Sequence, residues 1–215
     1  MNIRVILADD HVLMRTALSG LIATLPTFEV IAQTNNGKDA VRLVQEMEPD
    51  LVLMDITMPR LNGIEATRQI IAGDPAVKVI GLSVHAERHF AEKMIGAGAR
   101  AFLRKDCDVD ELRAAFTAVM SGLYFISPSI LGTRTSLRQF VKSALTQPGG
   151  PKLSMREQEI LQMVAEGKTT KEIAETVNLS AKSIEKYRQN IGEKLGIDSL
   201  AGLVKFAMEE GYVSK

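Results

Sequence analysis

The first 122 residues alternate between short apolar runs and longer segments in which apolar residues recur every three or four positions. The short runs predict five β-strands, at residues 3–8, 28–33, 51–55, 77–83 and 101–105. The periodic segments predict helices at about 12–24, 38–47, 63–72, 87–97 and 108–121. Several runs are apolar almost throughout, which suits a parallel sheet that is buried on both faces. Five strands alternating with five helices favour a doubly wound α/β fold with strand order 2-1-3-4-5.

Residues 153–212 show helical periodicity only and predict an all-α domain of four helices. Ser154 and Glu157 have the spacing of a capping box at the start of the first helix. The later helices are expected at 170–177, at 181–195 and, opened by Asp198 or Ser199, from about residue 200. A short helix, a tight turn and a longer helix form a helix-turn-helix, whose second helix enters the major groove of DNA.

The segment between these two patterns, residues 123–150, has a different composition. It is rich in Ser, Thr, Pro and Gly, runs into "TQPGGP", and carries three basic residues and no acidic one. This composition is typical of a linker. We therefore predict a first domain at 1–122, a linker at 123–150 with room for a short helix, and a second domain at 151–215.

The composition indicates the cellular environment of the protein but not its binding partners. The net charge is zero, so no overall field indicates a partner, and the single cysteine, Cys107, cannot form an internal disulfide. The N-terminus lacks the apolar core of a signal peptide, and no apolar stretch is long enough to span a membrane. We expect a soluble cytoplasmic protein without a membrane partner.

Polar residues end the predicted strands of the first domain. Asp9 and Asp10 follow the first strand, Asp55 ends the third, Ser83 ends the fourth and Lys105 ends the fifth. The carboxyl ends of neighbouring strands meet at the switch point of such a sheet, so the three carboxylates should converge. Converging carboxylates repel unless a cation intervenes, and Mg²⁺ accepts one or two carboxylates while leaving room for a phosphate oxygen. The pattern predicts a carboxylate that accepts a phosphoryl group, with Asp55 as nucleophile and Mg²⁺ and Lys105 neutralising charge.

These residues resemble the receiver domain of two-component response regulators. The matching motifs are "ADDH" at 8–11, "LMDITMP" at 53–59 with "NGIEA" at 62–66, "LS" at 82–83 and "FLRK" at 102–105. The resemblance covers residues 1–122 and implies a flavodoxin-like (βα)5 domain. It implies that Asp55 takes a phosphoryl group from a phosphohistidine of a sensor histidine kinase.

The resemblance also implies roles for the surrounding residues. Asp10, Asp55 and the backbone carbonyl of Thr57 would bind Mg²⁺, with Asp9 assisting through water. Ser83 would move toward the phosphoryl group, Phe102 would follow as the aromatic switch, and Lys105 would pair with the phosphoryl group.

One departure concerns the residue after Lys105. Many receivers have proline there, often after a cis bond, whereas this chain has Asp106, which leaves the geometry of the bond open and adds a negative charge nearby. Other reactive residues are expected to be structural: His11 as a helix-start residue, His85 as an exposed loop residue unless it bears on phosphoryl hydrolysis, and Cys107 as a small buried or loop residue.

The third helix of the second domain separates two faces. Ile184, Tyr187, Ile191 and Leu195 form one stripe, and residues 180–195 carry a net charge of +2. Residues 153–197 are similar to the LuxR-type DNA-binding domain, which together with the receiver gives the NarL/FixJ subfamily. Glu185, Lys186 and Gln189 match the base-reading positions of that subfamily. Lys182, Arg188 and Lys194 are candidates for phosphate contacts, which position a protein on DNA without reading its sequence.

The fourth helix is apolar on more than one face. One face must pack on the domain, and the other predicts either a twofold dimer matched to two DNA half-sites or a thick core. The dimerisation candidates are Leu200, Leu203, Val204 and Ala207.

The function expected is that of a DNA-binding response regulator, not an enzyme acting on a separate substrate. In the resting form the receiver would cover the DNA-facing helix or the fourth helix, and phosphorylation would shift the protein toward a dimer-competent form that binds promoter DNA. The alternative is a phosphorylation-independent DNA-binding or protein-interaction module with a vestigial receiver. For the second domain alone, a protein-binding helical module is the alternative, because its net charge is zero.

Overall fold

The computed structural model describes residues 2–84, 87–133, 135–146 and 153–213. Its first domain contains a parallel sheet of six strands: β1 (Ile3–Ala8), β2 (Phe28–Thr34), β3 (Leu51–Asp55), β4 (Lys78–Ser83), β5 (Ala101–Arg104) and β6 (Phe125–Ile126). The order across the sheet is β2-β1-β3-β4-β5-β6. The predicted five-stranded α/β fold and its 2-1-3-4-5 order are confirmed, and β6 extends the sheet beyond β5.

Five helices connect the first strands and cover both faces of the sheet: α1 (Val12–Ala23), α2 (Gly37–Met47), α3 (Gly63–Gly73), α4 (Arg88–Gly96) and α5 (Val109–Met120). Two apolar cores result. One, which includes Val52, Ile70 and Met94, lies on the side of α2, α3 and α4. The other, which includes Val5, Leu53 and Phe116, lies on the side of α1 and α5. Burial on both faces explains why the strand sequences are almost continuously apolar.

The described part of the segment predicted as a linker is packed on the first domain. After β6, helix α6 (Pro128–Leu131) and helix α7 (Leu137–Thr146) lie beside α4. Phe140 is fully buried, and the guanidinium carbon of Arg88 lies 4.9 Å from the centre of its ring. The short helix allowed for here is therefore α7, but the described residues up to 146 pack on the first domain instead of forming a free tether. Residues 147–152 lie outside the described residues.

The second domain contains four helices: α8 (Met155–Ala165), α9 (Thr170–Val177), α10 (Ala181–Leu195) and α11 (Leu200–Glu209). The predicted capping box of Ser154 and Glu157 is present, and Thr169 and Glu172 form a second one at α9. Asn178 adopts a left-handed conformation, with φ of 54°, in the turn between α9 and α10. The apolar faces of all four helices share one core.

The two domains contact each other through α8 and the end of α11. The ammonium of Lys93, in α4, lies 2.7 Å from the carbonyl oxygen of Glu209 and 3.0 Å from the carboxylate of Glu210. Gly211 adopts φ of +80°, and a Cβ there would come within 3.0 Å of Ile56 and Phe90 of the receiver. No helix in the described ranges is long and apolar enough to cross a membrane.

Candidate phosphoacceptor site and DNA interface

Two aspartates and one lysine meet at the carboxyl edge of the sheet. Asp9 follows β1, Asp55 ends the neighbouring β3, and Lys105 follows β5. The Lys105 ammonium lies 2.7 Å from Oδ2 of Asp9 and 2.7 Å from Oδ2 of Asp55, and all three side chains are at most 5% exposed. The convergence expected from the strand order is therefore present.

Asp10 and His11 extend this cluster toward solvent. The Asp10 side chain is 35% exposed, and its Oδ1 lies 2.8 Å from Nδ1 of His11. His11 also donates its backbone N–H to Oδ1 of Asp9 at 2.8 Å. His11 does occupy the expected helix-start position, but its imidazole contacts the acidic cluster. Its place directly after the aspartate pair was the only signal for this contact in the sequence.

Burial changes the acidity of Asp55. Burial raises the pKa of the Asp55 carboxyl to about 7, with a smaller contribution from Asp9, while the positive charge of Lys105 opposes the shift. Near neutral pH the metal-free Asp55 carboxyl is therefore only about half ionised. A cation in the pocket would favour its ionised form.

The cluster has the composition of a Mg²⁺ site. Ligand atoms of Asp9, Asp10, His11 and Asp55 lie within 4.8 Å of one another. With all carboxylates ionised, three negative charges face the single positive charge of Lys105, and one divalent cation balances the remainder. Oδ2 of Asp9 and of Asp55 accept no well-aligned hydrogen bond from the described residues, although both contact Lys105. Oxygen ligands of this kind suit a hard cation.

The loop after Asp55, residues 56–62, carries Thr57 and closes back on β3. Gly63 donates its N–H to the Ile56 carbonyl at 2.7 Å. A Cβ at Gly63 would lie 1.8 Å from the carbonyl oxygen of Asp55, so only glycine permits this approach. Thr57 is the second residue of this closed loop, and the role of its carbonyl as a Mg²⁺ ligand stays a prediction.

Ser83 and Phe102 occupy the neighbouring strands. Ser83 ends β4 and is 4% exposed, and its carbonyl accepts the Lys105 N–H at 2.8 Å. Phe102, in β5, is fully buried; a Cβ at Gly81 would come within 2.9 Å of its ring and 2.8 Å of Met94. His85, the other candidate near Ser83, lies outside the described residues.

The residues after Lys105 depart from the family pattern without disturbing the lysine. Among the described residues there is no cis peptide bond, so the Lys105–Asp106 bond is trans. Asp106 accepts two hydrogen bonds from the Arg104 guanidinium, at 2.6 and 2.5 Å, and its charge is paired there. Burial raises the pKa of the Cys107 thiol to about 11, which makes it a poor nucleophile at neutral pH.

The outer face of α10 is open to solvent. Lys182, Glu185, Lys186 and Gln189 are exposed and Arg188 is partly exposed, whereas Ile184 and Ile191 are buried in the domain core. Lys194 differs from the other candidates for phosphate contacts. Its ammonium lies 2.8 Å from both carboxylate oxygens of Glu157, so it ties α10 to α8.

The four dimerisation candidates of α11 divide into two pairs. Leu203 and Ala207 are buried in the domain's own core, which corrects their assignment to a dimer surface: an i, i+4 pair on the inner stripe cannot also face a second chain. Leu200 is 52% exposed and Val204 is partly exposed. Of the four candidates, only Leu200 and Val204 thus remain available to contact a second chain.

Comparison with known proteins supports this organisation. Residues 5–117 match the response regulator receiver domain family, and residues 151–207 match the luxR family of bacterial regulatory proteins. Response regulator GacA of Pseudomonas aeruginosa is 34% identical over 211 residues, which cover 98% of both proteins. Response regulator UvrY of Escherichia coli is 34% identical over 209 residues, covering 97% of this chain and 95% of UvrY.

Solved structures show the same architecture. A LuxR-family two-component response regulator from Aurantimonas sp. is 34% identical, with a TM-score of 0.59, over 66% of this chain and 97% of that one. RcsB from Salmonella enterica serovar Typhimurium, solved bound to promoter DNA with a phosphomimetic, shares the fold at 22% identity and a TM-score of 0.59, over 97% of this chain and all of RcsB. The predicted family is confirmed: this chain is a two-component response regulator of the NarL/FixJ subfamily, a transcription regulator with a receiver domain and a LuxR-type DNA-binding domain and not an enzyme.

Proposed function

We propose that Asp55 is the phosphoacceptor of this regulator. An Oδ atom of the ionised carboxylate attacks the phosphorus of a phosphohistidine on a sensor histidine kinase. A P–O bond forms, the P–N bond breaks, and the imidazole leaves with the bonding electrons. The observation that carries the proposal is the Lys105 ammonium, 2.7 Å from Asp55, because it neutralises charge on the incoming phosphoryl oxygens.

The remaining residues of the pocket would bind the phosphoryl group or change conformation in response to it. Asp10, Asp55 and the Thr57 carbonyl would hold Mg²⁺, with Asp9 assisting through water, and the bound ion would neutralise phosphoryl charge. Ser83, at the end of β4, would move to the phosphoryl group. Phe102 would then repack against Met94 and Gly81, which couples the pocket to α4.

The docked arrangement is the resting form in this proposal. The receiver contacts α8 through Gln158 and Gln162, and it contacts the end of α11 through the Lys93–Glu210 ion pair and the packing around Gly211. The outer face of α10 stays exposed.

Of the two helices that the receiver was expected from the sequence to cover, its described residues contact only the fourth, and only at its C-terminal end, so Leu200 stays 52% exposed. Phosphorylation would release α8 and the end of α11 from the receiver, and the freed second domain would then pair with a second copy through the stripe of Leu200 and Val204.

The outcome is binding of promoter DNA by a dimer. Two copies of α10 would enter successive major grooves, with Glu185, Lys186 and Gln189 at base edges. Because its partners in this scheme are a kinase phosphohistidine and chromosomal DNA, we place the protein in the cytoplasm.

Acyl-phosphate formation and DNA affinity, measured together, test the proposal. The wild-type chain, incubated with acetyl phosphate and Mg²⁺, should gain one phosphoryl mass and bind promoter DNA at least about tenfold more tightly, a coupling within the usual allosteric range. Asp55→Ala should do neither. Asp110→Ala, which removes a carboxylate that is 90% exposed, is the matched control and should behave as wild type.

The alternative, a vestigial receiver, predicts a different result. If Asp55→Ala binds DNA as tightly as the treated wild type and the wild type gains no phosphoryl mass, the regulator works without phosphorylation. If the wild type is phosphorylated but its DNA affinity does not change, Asp55 is still the phosphoacceptor. In that case, release of the docked form is not the switch that controls DNA binding.

Two substitutions on α10 should separate positioning from sequence reading. Lys182→Ala should weaken binding to all DNA sequences by the same factor. It should also reduce the slope of affinity against salt concentration by the amount expected for one phosphate contact. Gln189→Ala should cost about 1–3 kcal/mol on the preferred site and relax preference at one base position. Binding to a randomised DNA pool at two salt concentrations measures both effects. Equal behaviour of the two variants would contradict the assignment.

A further inference from the structure

The loop of residues 56–62 is held in place by the receiver at its two ends. At its start, the carbonyl of Ile56 accepts the Gly63 N–H at 2.7 Å. At its end, the carbonyl of Leu61 accepts the N–H of Gly37 at 3.1 Å. These two hydrogen bonds fix the ends of the loop, and residues 57–60 lie between them.

The middle of this loop contains an unfavourable turn. Leu61 donates its N–H to the Pro59 carbonyl at 2.8 Å, and Arg60 between them has a φ of +69°. A three-residue turn with a positive φ at its centre is the rare, strained form of γ-turn. A non-glycine residue keeps such a conformation only where its surroundings determine it. Any contact with the neighbouring residues therefore bears on the conformation of the whole loop.

The DNA-binding domain supplies such a contact. Gln162, on α8, donates from Nε2 to the backbone carbonyl of Met58. Gln162 is 2% exposed and Met58 is 1% exposed, so water does not compete for this bond. Met58 follows Thr57 directly, so the peptide group that Gln162 holds is one residue from the carbonyl proposed to bind Mg²⁺. Gln162 also donates to Glu166 at 3.2 Å, within its own helix, which fixes the direction of its amide.

We propose that Gln162 is a positioning residue for the phosphoacceptor loop, through which the DNA-binding domain sets the metal affinity of the receiver. The inference rests on the proposed function of the pocket. If phosphorylation releases α8, reciprocity requires that release of α8 favours the pocket with ion and phosphoryl group bound. The hydrogen bond from Gln162 thus keeps the loop in its resting conformation and opposes Mg²⁺ binding.

Gln162→Met is the test, because methionine keeps the volume and removes the donor. Gln158→Met is the matched control: Gln158 lies one turn earlier on α8, is also buried, and donates across the interface at 3.4 Å to the side chain of Glu65 instead of the loop backbone. Mg²⁺ affinity by calorimetry and amide hydrogen exchange of Leu61 and Gly63 in the metal-free, full-length protein are the two readouts.

Gln162→Met should bind Mg²⁺ about threefold to tenfold more tightly and exchange the Leu61 amide faster by a similar factor, the loss expected for one hydrogen bond. Gln158→Met should stay within about twofold of wild type in both. Equal effects of the two variants, or an unchanged or weaker affinity in Gln162→Met, overturn the inference. Gln162→Leu, which also lacks the donor and adds no charge near the metal site, replaces the methionine variant should the latter fail to fold.

Failure of the proposed function is distinguishable from failure of this inference. A wild type that neither binds Mg²⁺ nor is phosphorylated rejects the phosphoacceptor site. The exchange of the Leu61 amide in the metal-free protein still shows whether Gln162 holds the loop.

Discussion

Asp55→Asn should make the metal-free protein more stable at pH 8 by roughly 2–4 kcal/mol, although it removes the proposed phosphoacceptor. Burial raises the pKa of the Asp55 carboxyl to about 7 from an ordinary value of 3.8. A carboxylate with a raised pKa is costly to ionise in the folded state, and the amide avoids that cost. The variant thus separates what the aspartate does for function from what it does for stability.

The stability difference between wild type and Asp55→Asn should develop between pH 4 and pH 7, because the folded-state pKa of Asp55 is raised. Below pH 4 the Asp55 carboxyl is protonated in both the folded and the unfolded chain, so the wild type and the Asp55→Asn variant should be equally stable apart from local packing. Between pH 4 and pH 7 the unfolded chain loses this proton and the folded chain keeps it, so wild-type stability falls as the pH rises. Above pH 7 both states are ionised, and the full difference persists.

Urea unfolding from pH 4 to pH 8.5 in the presence of EDTA measures this window. Asp110→Asn is the control, because it makes the same change at a side chain that is 90% exposed and distant in sequence from the cluster. Added Mg²⁺ should stabilise wild type far more than Asp55→Asn and so reduce the gap, since ligand binding to the folded state adds to stability. A constant difference across the pH range would show that Asp55 is not a high-pKa group in the folded protein.

The sequence was sufficient for the receiver because each of its signals is local and repeated. Apolar runs, breakers and helix caps mark the same boundaries independently, and the position of Asp55 at a strand end followed from the strand alone. Parallel pairing of β1 with β3 then brought Asp9 to Asp55. The convergence of these side chains was predictable because the order of the strands, and not side-chain detail, brings them together.

The packing of the described residues after 122 on the first domain was not predicted, for a physical reason. β6 has only two residues, Phe125 and Ile126, which is too short for any alternation, and Gly132 and the nearby Ser and Thr residues resemble a linker. The apolar spacing of Phe140, Val141 and Ala144 was the available signal for a helix with a buried face. No pattern in the sequence indicated that α7 would pack on α4.

The interdomain contacts could not have been predicted from local pattern. Gln162 and Gln158 are polar residues on the first helix of the second domain, and nothing near them distinguishes a buried glutamine from an exposed one. Likewise, Lys93 and Glu210 are separated by more than a hundred residues and have the composition of ordinary surface charges. Such contacts depend on how the surfaces of two folded domains fit together, and the periodicity of apolar residues along the chain carries no information about that fit.

Lys105→Met should destabilise the metal-free protein by about 3–5 kcal/mol at pH 8, because it leaves buried carboxylates without their cation. Lys105 is 4% exposed and is 2.7 Å from both Asp9 and Asp55. Without its charge, the pKa of the Asp55 carboxyl should rise further, since the positive charge of Lys105 is the main influence that now lowers it. The loss should therefore shrink as the pH falls toward 4 and the Asp55 carboxyl becomes protonated.

Two further variants show whether the effect arises in this cluster. Lys142→Met, at an exposed position of α7, should leave stability within about 0.5 kcal/mol of wild type. The double variant Lys105→Met, Asp55→Asn should regain most of the loss, because contacting charges are strongly non-additive. If Lys105→Met loses the same free energy at pH 4.5 as at pH 8, its cost is one of packing, and the pocket does not depend on Lys105 to hold its negative charges together.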